Sequence, residues 1–406
     1  MRERSFLLEN APWLAAGALL AFMSSFGQTF FISIFAGEIR AEFDLSHGQW
    51  GGIYSLGTTL SAAVMVWAGG LTDRFRARVL GSFVLVLLAF ACLSMAVSTV
   101  WMLPAVIFAL RLTGQGMTVH ISAVAMARWF VASRGKALSI AHLGFSVAEA
   151  FLPMIFVALL AVWDWRLLWM LSATVAIAGI PLLLVLLRTE RTPQSLAESD
   201  QSLGMDARHW TRNETLRHRL FWFMIPALLG PSAFNTAFFF QQVHFAEVKG
   251  WAHLDLVALF PVYTAMSVGA MIVSGWLLDK YGTARLIPFY QLPMVLAFTA
   301  FASAGTPASA LVGFLFLAIT TGANATLPNA FWAEFYGTAH LGSIKAMAAA
   351  VMVLGSALGP GLTGALIDFG TGIETQYLWI AGYFVFSSVM MMIGIGQARA
   401  AFTAAA

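Results

Sequence analysis

Charge is scarce in this sequence. Asp, Glu, Lys and Arg make up 10% of its 406 residues, whereas soluble domains carry about 25%. Hydrophobic residues make up 60%, and the mean hydropathy is +0.80. A water-soluble fold has no means of burying that much apolar surface. The composition therefore argues against a large soluble enzyme.

Reactive and ligand-binding motifs are scarce as well. The single cysteine, Cys92, allows no disulfide within the chain and is interpreted as a small packed hydrophobic residue. No His-Glu-x-x-His cluster, no nucleophile with its base and no Gly-x-x-x-x-Gly-Lys-(Ser/Thr) loop occurs. The 22 basic residues form no patch. We therefore expect neither an enzyme nor an ATP-driven pump, no cofactor, no metal and no nucleic-acid partner.

Long apolar runs are what the sequence has instead. A run of about 20 residues crosses a bilayer core as a helix, and continuous runs do not fit a β-barrel. The first run follows MRERSFLLENAPW without a small-residue cleavage pattern, so we interpret it as a retained first span. The twelve predicted spans are 11–36, 48–70, 79–98, 101–127, 136–160, 165–187, 219–246, 254–278, 284–304, 307–333, 342–367 and 375–397.

The basic residues predict the orientation of these spans. With the N-terminus inside, 18 of the 22 fall on the cytoplasmic side, as the positive-inside rule expects. Arg40, Arg166 and Lys249 fall outside, and Arg111 lies within a span. The sequence thus predicts an all-α membrane protein with twelve spans, both termini cytoplasmic, in a bacterial inner membrane.

A charged turn is repeated once in each half of the chain. The stretch 69-GGLTDRFRAR-78 has a near-copy, 275-GWLLDKYGTAR-285, and 113-TGQGMT-118 is echoed by 321-TGANAT-326. Two six-helix halves related by an axis along the membrane normal form a known transporter architecture. We predict an N-terminal bundle over 1–187, a cytoplasmic central loop over 188–219 and a C-terminal bundle over 220–406.

The repeated turn resembles the signature between spans 2 and 3 of the major facilitator superfamily, Gly-x-Leu-x-Asp-(Arg/Lys)-(Phe/Tyr)-Gly-x-x-(Arg/Lys). In the first half Arg76 stands where that pattern has glycine. Span 4 adds Arg111-x-x-Gly114-x-Gly116, similar to a second motif of that superfamily. The residues that fit the turn pattern are Gly69, Leu71, Asp73, Arg74, Phe75 and Arg78, then Gly275, Leu277, Asp279, Lys280, Tyr281 and Gly282. The resemblance covers the whole chain and implies the major facilitator fold.

This resemblance implies a conformational latch at the cytoplasmic end. The glycines would let helices cross closely, and Asp73 and Asp279 would accept hydrogen bonds from the starts of spans 11 and 5, because helix N-termini favour anions. The alternative is that the turns are only positive-inside anchors. The predicted latch residues are Gly69, Asp73, Arg74, Gly275, Asp279 and Lys280.

Other stretches are similar to the monocarboxylate-porter and oxalate/formate-exchanger branch of that superfamily. They are 128-RWFVASRGKALSIAHLGFS-146, 163-WDWR-166 and 355-GSALGPGLTGALID-368. The branch commonly holds a carboxylate with a basic residue in span 8 or 11. Here span 8 has no charge and span 11 has only Lys345 near its start, so Arg111 or Lys345 would have to take that role.

Two charged residues lie deep in predicted spans. A charge at mid-membrane is costly and usually faces a cavity or a partner. Arg111 is about ten residues, or about 15 Å, into span 4, and Glu149 lies near mid-depth in span 5. We predict that Arg111 and Glu149 form a pair that binds a proton or an anion, with a static ion pair as the alternative. His142 shares the Glu149 face, two turns away. Histidine can change charge near neutral pH, and the alternative is a hydrogen-bonded structural histidine.

Neutral polar residues within spans complete the predicted site. Each alone is more often helix–helix glue than a ligand contact. The predicted substrate-binding residues are Gln28, Thr29, Arg111, Gln115, Asn235, Gln242, Asn324 and Trp332.

The function predicted from these features is secondary active transport. A small organic solute, a carboxylate or a zwitterion, would move with a proton by alternating access through a monomer in contact with lipid. One alternative is a proton-antiport exporter of amphipathic or drug-like compounds, which the 14% aromatic content favours and the missing Gly-Pro-rich stretch in span 5 disfavours. A transport-dead sensor is the other, and the retained buried charges argue against it.

Overall fold

The computed structural model describes residues 2–130, 133–189, 203–337 and 339–404. These residues are almost all helical, and they contain no strand. Helices satisfy every backbone polar group within one segment, which a lipid environment requires. The chain divides into two compact units, Met1–Glu198 and Ser199–Ala406. The protein is an all-α membrane protein.

The first unit contains the helices up to residue 186. They are α1 (Arg2–Met23), α2 (Thr29–Ile32), α3 (Ala36–Phe43), α4 (His47–Ala68), α5 (Leu71–Arg74), α6 (Ala77–Ala96), α7 (Leu103–Leu110), α8 (Val119–Trp129), α9 (Arg134–Leu160) and α10 (Trp165–Leu186).

The second unit contains the rest. They are α11 (Arg212–Arg217), α12 (Arg219–Phe240), α13 (Gln242–Lys249), α14 (His253–Val257), α15 (Phe260–Tyr281), α16 (Thr283–Leu286), α17 (Leu292–Ser303), α18 (Pro307–Asn324), α19 (Leu327–Tyr336), α20 (Leu341–Asp368) and α21 (Ile373–Ala404).

Ten helical stretches of the described residues are long and apolar enough to cross a membrane. The other two predicted spans are also helical. α4 (His47–Ala68) covers most of the predicted span 48–70 and is 22 residues long, but it contains several glycine, serine and threonine residues. The predicted span 284–304 is divided between α16 and the twelve-residue apolar helix α17.

Two predicted spans of the first unit are interrupted where they cross. Span 1 changes to a 3₁₀ turn at Ser24–Gly27, and Gln28 is extended. Span 4 contains a π-helix over Arg111–Thr118. A Cβ atom on Gly114 would lie 2.6 Å from the Cα of Gly27. The backbones touch here, so only glycine fits at the crossing.

The matching spans of the second unit are interrupted too. α12 and α13 meet at Gln241, and α18 and α19 are separated by two residues. π-turns and helix breaks are frequent at functional sites, so these four interruptions mark where to look for one.

A polar tie joins three helix ends at one end of each unit, the predicted outer end. In the first unit Arg166 donates to Glu42 at 2.5 Å and to the carbonyls of Ala96 and Ser98 at 2.8 and 3.1 Å. In the second, Lys249 pairs with Glu374 and donates to the carbonyl of Ala302. The cation of the first unit lies at the start of its sixth predicted span, whereas Lys249 follows the first predicted span of the second unit, so the charge order is reversed.

The second part of the predicted central loop is folded against α19. Gly204 lies against the backbone of Tyr336 and Gly337, where a Cβ atom would be 2.5 Å from the Gly337 nitrogen. The backbone N–H of Trp210 donates to the Tyr336 carbonyl at 3.0 Å, and Trp210 is only 6% exposed. A capping box between Thr211 and Glu214 starts α11. This segment therefore belongs to the second unit.

Candidate functional site

Arg111 is the buried charge at the centre of the first unit. Its side chain is 1% exposed. Nη1 donates to the carbonyl of Gly27 at 3.2 Å and to Thr29 Oγ1 at 3.4 Å. The 3₁₀ turn and the extended Gln28 interrupt the helical ladder of span 1 next to this carbonyl, and the guanidinium satisfies it.

The other edge of the Arg111 guanidinium has no partner. Nε and Nη2 are both buried and make no hydrogen bond. These two nitrogens carry the parallel N–H groups with which arginine grips a carboxylate by two hydrogen bonds. A buried donor without an acceptor is destabilising by about 1–3 kcal/mol, and more when it is charged. The arrangement is therefore suited to an anion that enters from outside the described residues.

Tyr54 and Thr29 hold the occupied side of Arg111. The Tyr54 ring centroid lies 5.2 Å from the Arg111 Cζ atom, and its hydroxyl is 2.5 Å from Thr29 Oγ1. Tyr54 is fully buried and Thr29 is 9% exposed. The three side chains come from α4, α2 and the π-helix, so the breaks in spans 1 and 4 bring them together.

Glu149 is half-buried on α9 and makes interactions of its own. The static Arg111–Glu149 ion pair is not formed in the structure, since the hydrogen bonds of Arg111 go to Gly27 and Thr29 and its other nitrogens have no partner. His142, seven residues before Glu149, is exposed and its ring stacks on Phe145 at 5.2 Å.

The second unit has a neutral cluster built on the same pattern. Asn235 of α12 donates to Thr321 Oγ1 of α18 at 3.4 Å, and the Tyr263 hydroxyl of α15 donates to the same atom at 3.4 Å. The Oδ1 atom of Asn235 is buried without a hydrogen-bond partner. Like Thr29, Tyr54 and Arg111, these residues come from the first, second and fourth predicted spans of their half.

Two further amide contacts lie in the second unit. The Tyr290 hydroxyl donates to Asn324 Oδ1 at 3.4 Å. Gln242 is fully buried and its Oε1 atom is 3.3 Å from Nε2 of His253. Asn324 ends α18 and so lies directly at the break in span 10, whereas Gln242 belongs to the start of α13.

Three other predicted substrate contacts have different surroundings. Gln28 and Gln115 are half-buried beside the crossing of spans 1 and 4. Trp332 is 2% exposed, and its ring packs on Phe221 and Tyr336 at 6.0 and 5.8 Å. This packing supports a core role for Trp332 and not the predicted substrate contact.

Span 4 is tied to the first charged turn. His120 Nε2 lies 3.2 Å from the Gly69 carbonyl, and Arg128 donates to the Thr72 carbonyl at 2.7 Å. Arg74 is exposed, and the side chain of Asp73 lies outside the described part of the structure. The contacts predicted for Asp73 and Asp279 would join the two units and stay predictions.

The second charged turn is more open. A Cβ atom on Gly275 would meet nothing within 4 Å, so close packing within its own unit does not require this glycine. Asp279 and Lys280 are exposed, and Lys280 Nζ lies 5.1 Å from the Trp276 ring centroid. Glu334 accepts from the Thr283 N–H at 3.2 Å, which ties this turn to α19.

Five contact residues are not among the site residues predicted from the sequence: Tyr54, Tyr263, Thr321, Tyr290 and His120. A signal existed for the tyrosines, because a tyrosine hydroxyl inside an apolar span needs a hydrogen-bond partner. Among the described residues, no group of three or more His, Cys, Asp or Glu side chains is placed to hold a metal ion.

Helices long enough to cross a membrane, arranged in two compact units, define a polytopic membrane protein. Residues 17–328 match the model of the Major Facilitator Superfamily, and the chain belongs to that family. It is therefore a transporter and not an enzyme, and its fold is the twelve-helix major facilitator fold. No curated protein matches the chain in sequence.

Solved structures of similar fold cover nearly the whole chain. A bacterial homologue of the human lysosomal transporter Spinster, inward-facing and unoccupied, has 16% identity and a TM-score of 0.68, with 98% of each chain covered. The nucleoside transporter NupG has 15% identity and a TM-score of 0.72, covering 94% of this chain and 98% of its own. A D-xylose-proton symporter has 14% identity and a TM-score of 0.72, covering 94% and 96%.

Proposed function

We propose that this protein moves a small organic anion across the membrane together with a proton. The observation that carries the proposal is the buried Arg111 guanidinium, whose Nε and Nη2 atoms have no partner while Nη1 is held by Gly27 and Thr29. A carboxylate supplies two acceptors at the spacing of this free edge. It also compensates a charge that is expensive to leave alone in a membrane.

The neutral cluster of the second unit supports a substrate with only one charged group. Asn235, Tyr263 and Thr321 offer amide and hydroxyl groups without a formal charge. We propose that Gln28, Gln115 and Asn324 add further polar contacts to the substrate. Gln242, bonded to His253, is a weaker candidate from the same predicted set. The sequence stretches of α9 and α20 support the monocarboxylate-type branch of the family.

Proton coupling is assigned to Glu149, with His142 as its neighbour on α9. Glu149 is half-buried at mid-span, and acidic residues within membrane spans often serve as proton relays in transporters. A metal cation is a poorer choice for the coupling ion. The carbonyl of Gly27, which lies at the interruption of span 1, already accepts from Arg111, whereas unwound carbonyls coordinate the ion in sodium-coupled transporters. One of the solved structures of similar fold is a proton symporter.

The charged turns are proposed to act as latches on the predicted cytoplasmic side, with both termini on that side, in the inner membrane of a bacterium. Asp73→Asn and Asp279→Asn should each lower the transport rate while the affinity for the solute stays unchanged. Normal transport by Asp73→Asn would leave simple anchoring by Arg74 and Lys280 as the role of the turns.

Uptake into proteoliposomes tests the proposed function. Purified protein would be offered radiolabelled formate, acetate, lactate and oxalate, and the amides formamide, acetamide, lactamide and oxamide, with and without an inward pH gradient. Neutral weak acids also cross a protein-free bilayer, so we expect at least one acid to accumulate with the gradient faster than in protein-free liposomes, and its amide not to do so. Accumulation of amides in preference to acids would favour a neutral polar solute instead, recognised by the Asn235 cluster.

A further inference from the structure

We propose that Tyr54 is the positioning residue for Arg111, and that its ring and hydroxyl hold the guanidinium so that the Nε/Nη2 edge stays free for an anion. The inference rests on the proposed anion-binding role of Arg111. It adds a residue that does not touch the substrate itself.

The Tyr54 ring contacts the Arg111 guanidinium. The Arg111 Cζ atom is 5.2 Å from the Tyr54 centroid, within the range of a cation–π interaction. Both side chains are almost fully buried, at 0% and 1% exposure, and desolvation strengthens this interaction. A ring in contact with the guanidinium carbon restricts the plane in which the five N–H groups of Arg111 can lie.

The Tyr54 hydroxyl is linked to Arg111 through Thr29. Tyr54 and Thr29 share a hydrogen bond of 2.5 Å, and Thr29 Oγ1 also accepts from Arg111 Nη1. Gly27 accepts the second bond from Nη1. Once the plane is restricted by the ring, these two acceptors fix the rotation within that plane, since both engage the same nitrogen. The remaining orientation places Nε and Nη2 away from the acceptors, which agrees with their lack of a partner.

Tyr263 of the second unit offers a contrast with Tyr54. Tyr263 also lies on the second predicted span of its half, but its hydroxyl bonds Thr321 of the fourth span, whereas the Tyr54 hydroxyl bonds Thr29 of the first. There the tyrosine completes a neutral cluster with Asn235. A ring at this place is thus common to both halves, and orienting a cation is its use in the first half. Tyr263→Leu is therefore the matched control for Tyr54→Leu.

A spectroscopic experiment reads the orientation directly. Protein labelled with [¹⁵N]arginine in nanodiscs would show the Arg111 Nε–H signal, identified by its absence in Arg111→Lys. We expect this signal to be shifted upfield by the Tyr54 ring, to keep that shift in Tyr54→Phe and Tyr263→Leu, and to lose it in Tyr54→Leu. Retention of the shift in Tyr54→Leu would overturn the proposal. Should Tyr54→Leu not fold, an unchanged lactate affinity in Tyr54→Phe would overturn the proposal instead, because the hydroxyl would then hold nothing that the anion needs.

A binding arm separates this inference from the proposed function. Lactate and lactamide would be titrated onto the same variants. We expect lactate to bind about fivefold more weakly to Tyr54→Phe, the effect of one hydrogen bond, and about thirtyfold more weakly to Tyr54→Leu, with lactamide unaffected. Equal lactate affinity in wild type and Tyr54→Leu would contradict the positioning role. Lactate that binds wild type no better than lactamide would contradict the anion role of Arg111 alone, and the nitrogen signals would still decide the role of Tyr54.

Discussion

Two polar clusters occupy matching places in the two units and differ in one respect. Thr29, Tyr54 and Arg111 in the first unit, and Asn235, Tyr263 and Thr321 in the second, each join the first, second and fourth predicted spans of their half. The first cluster contains a buried cation and the second contains none. A repeated scaffold thus holds two chemistries, a buried guanidinium in the first unit and neutral amide and hydroxyl groups in the second.

The two charged turns also keep a contact in each unit while the charge of its side chain differs. Arg128 ties the first charged turn to span 4, and Glu334 ties the second to α19. Either sign serves, because the partner is a backbone group that offers both a donor and an acceptor. The repeat therefore preserves the position of a contact while the charge of its side chain varies.

The largest expected effect comes from removing the acid that we assign to proton coupling. If Glu149 of the first unit carries the coupled proton, Glu149→Gln should abolish accumulation driven by a pH gradient, because an amide cannot carry a proton. Exchange of solute down its own gradient should continue. α20 of the second unit has no acid before Asp368 at its end, so no second carrier exists on that helix to replace Glu149.

Uptake and counterflow in proteoliposomes measure this difference. A control, Asp368→Asn, removes an acid at a helix end and should leave accumulation intact. Full accumulation by Glu149→Gln would remove Glu149 as the carrier and leave His142 as the next candidate on the same face.

The crossing of spans 1 and 4 should be the next most sensitive feature. Gly114→Ala would push a Cβ atom against the Gly27 backbone at 2.6 Å, and overpacking of this kind is destabilising by about 1–3 kcal/mol. It would also displace the π-helix that begins at Arg111. Thermal unfolding in detergent should show a lower midpoint for Gly114→Ala.

Gly275→Ala is the matched control for that substitution. A Cβ atom there meets nothing within 4 Å, and alanine favours a helix interior by up to about 1 kcal/mol over glycine. Its unfolding midpoint should be equal or higher. A midpoint for Gly114→Ala that is as high would mean that the two backbones are not in contact.

The polar ties at the helix ends should give the smallest effects. Arg166→Glu should lower the stability of the first unit by about 1 kcal/mol, since exposed pairs contribute little and the lost bonds to Ala96 and Ser98 add to this. Glu42→Lys together with Arg166→Glu should recover most of it, because the pair then copies the charge order of Lys249 and Glu374. A double variant less stable than Arg166→Glu would contradict the equivalence of the two ties.

Acid should weaken the first tie. The hydrogen bond from Arg166 lowers the pKa of Glu42 below its ordinary value. A carboxyl group whose pKa is lowered by folding stabilises the folded state above its unfolded pKa, and this contribution is lost as the pH falls through the folded value. The unfolding midpoint of wild type should therefore fall more steeply with acidification than that of Glu42→Gln.

The sequence predicts the fold well because lipid leaves so few choices. Apolar runs of span length must be helices, and the duplicated turn indicates the two halves. The interruptions at Gly27 and Gly114 are harder to foresee, since they depend on contact between backbones far apart in the chain. The sequence shows part of the difference between the two charged turns, because one has a glycine where the other has an arginine. Gly282 has φ +73, a conformation that suits glycine, whereas Arg76 at the matching place has φ −67.

The sequence predicts the charged residues of the site better than it predicts the groups that they contact. Arg111 and Glu149 stand out because charge is rare inside spans. Their geometry does not follow from spacing, because α9 and the π-helix turn each residue by an amount that packing decides. Trp332 shows the opposite limit: an aromatic residue near a polar run is as easily a core residue, and here it packs on Phe221.

The most direct test of the account is the preference for a carboxylate over its amide in three proteins. Affinities for lactate and lactamide would be measured by titration in wild type, Arg111→Gln and Asn235→Ala. The account predicts that wild type prefers lactate, that Arg111→Gln loses this preference by about a hundredfold or more, as expected for a buried charge-assisted pair, and that Asn235→Ala weakens both ligands alike. An unchanged preference in Arg111→Gln would contradict the central claim, and so would a preference lost in Asn235→Ala.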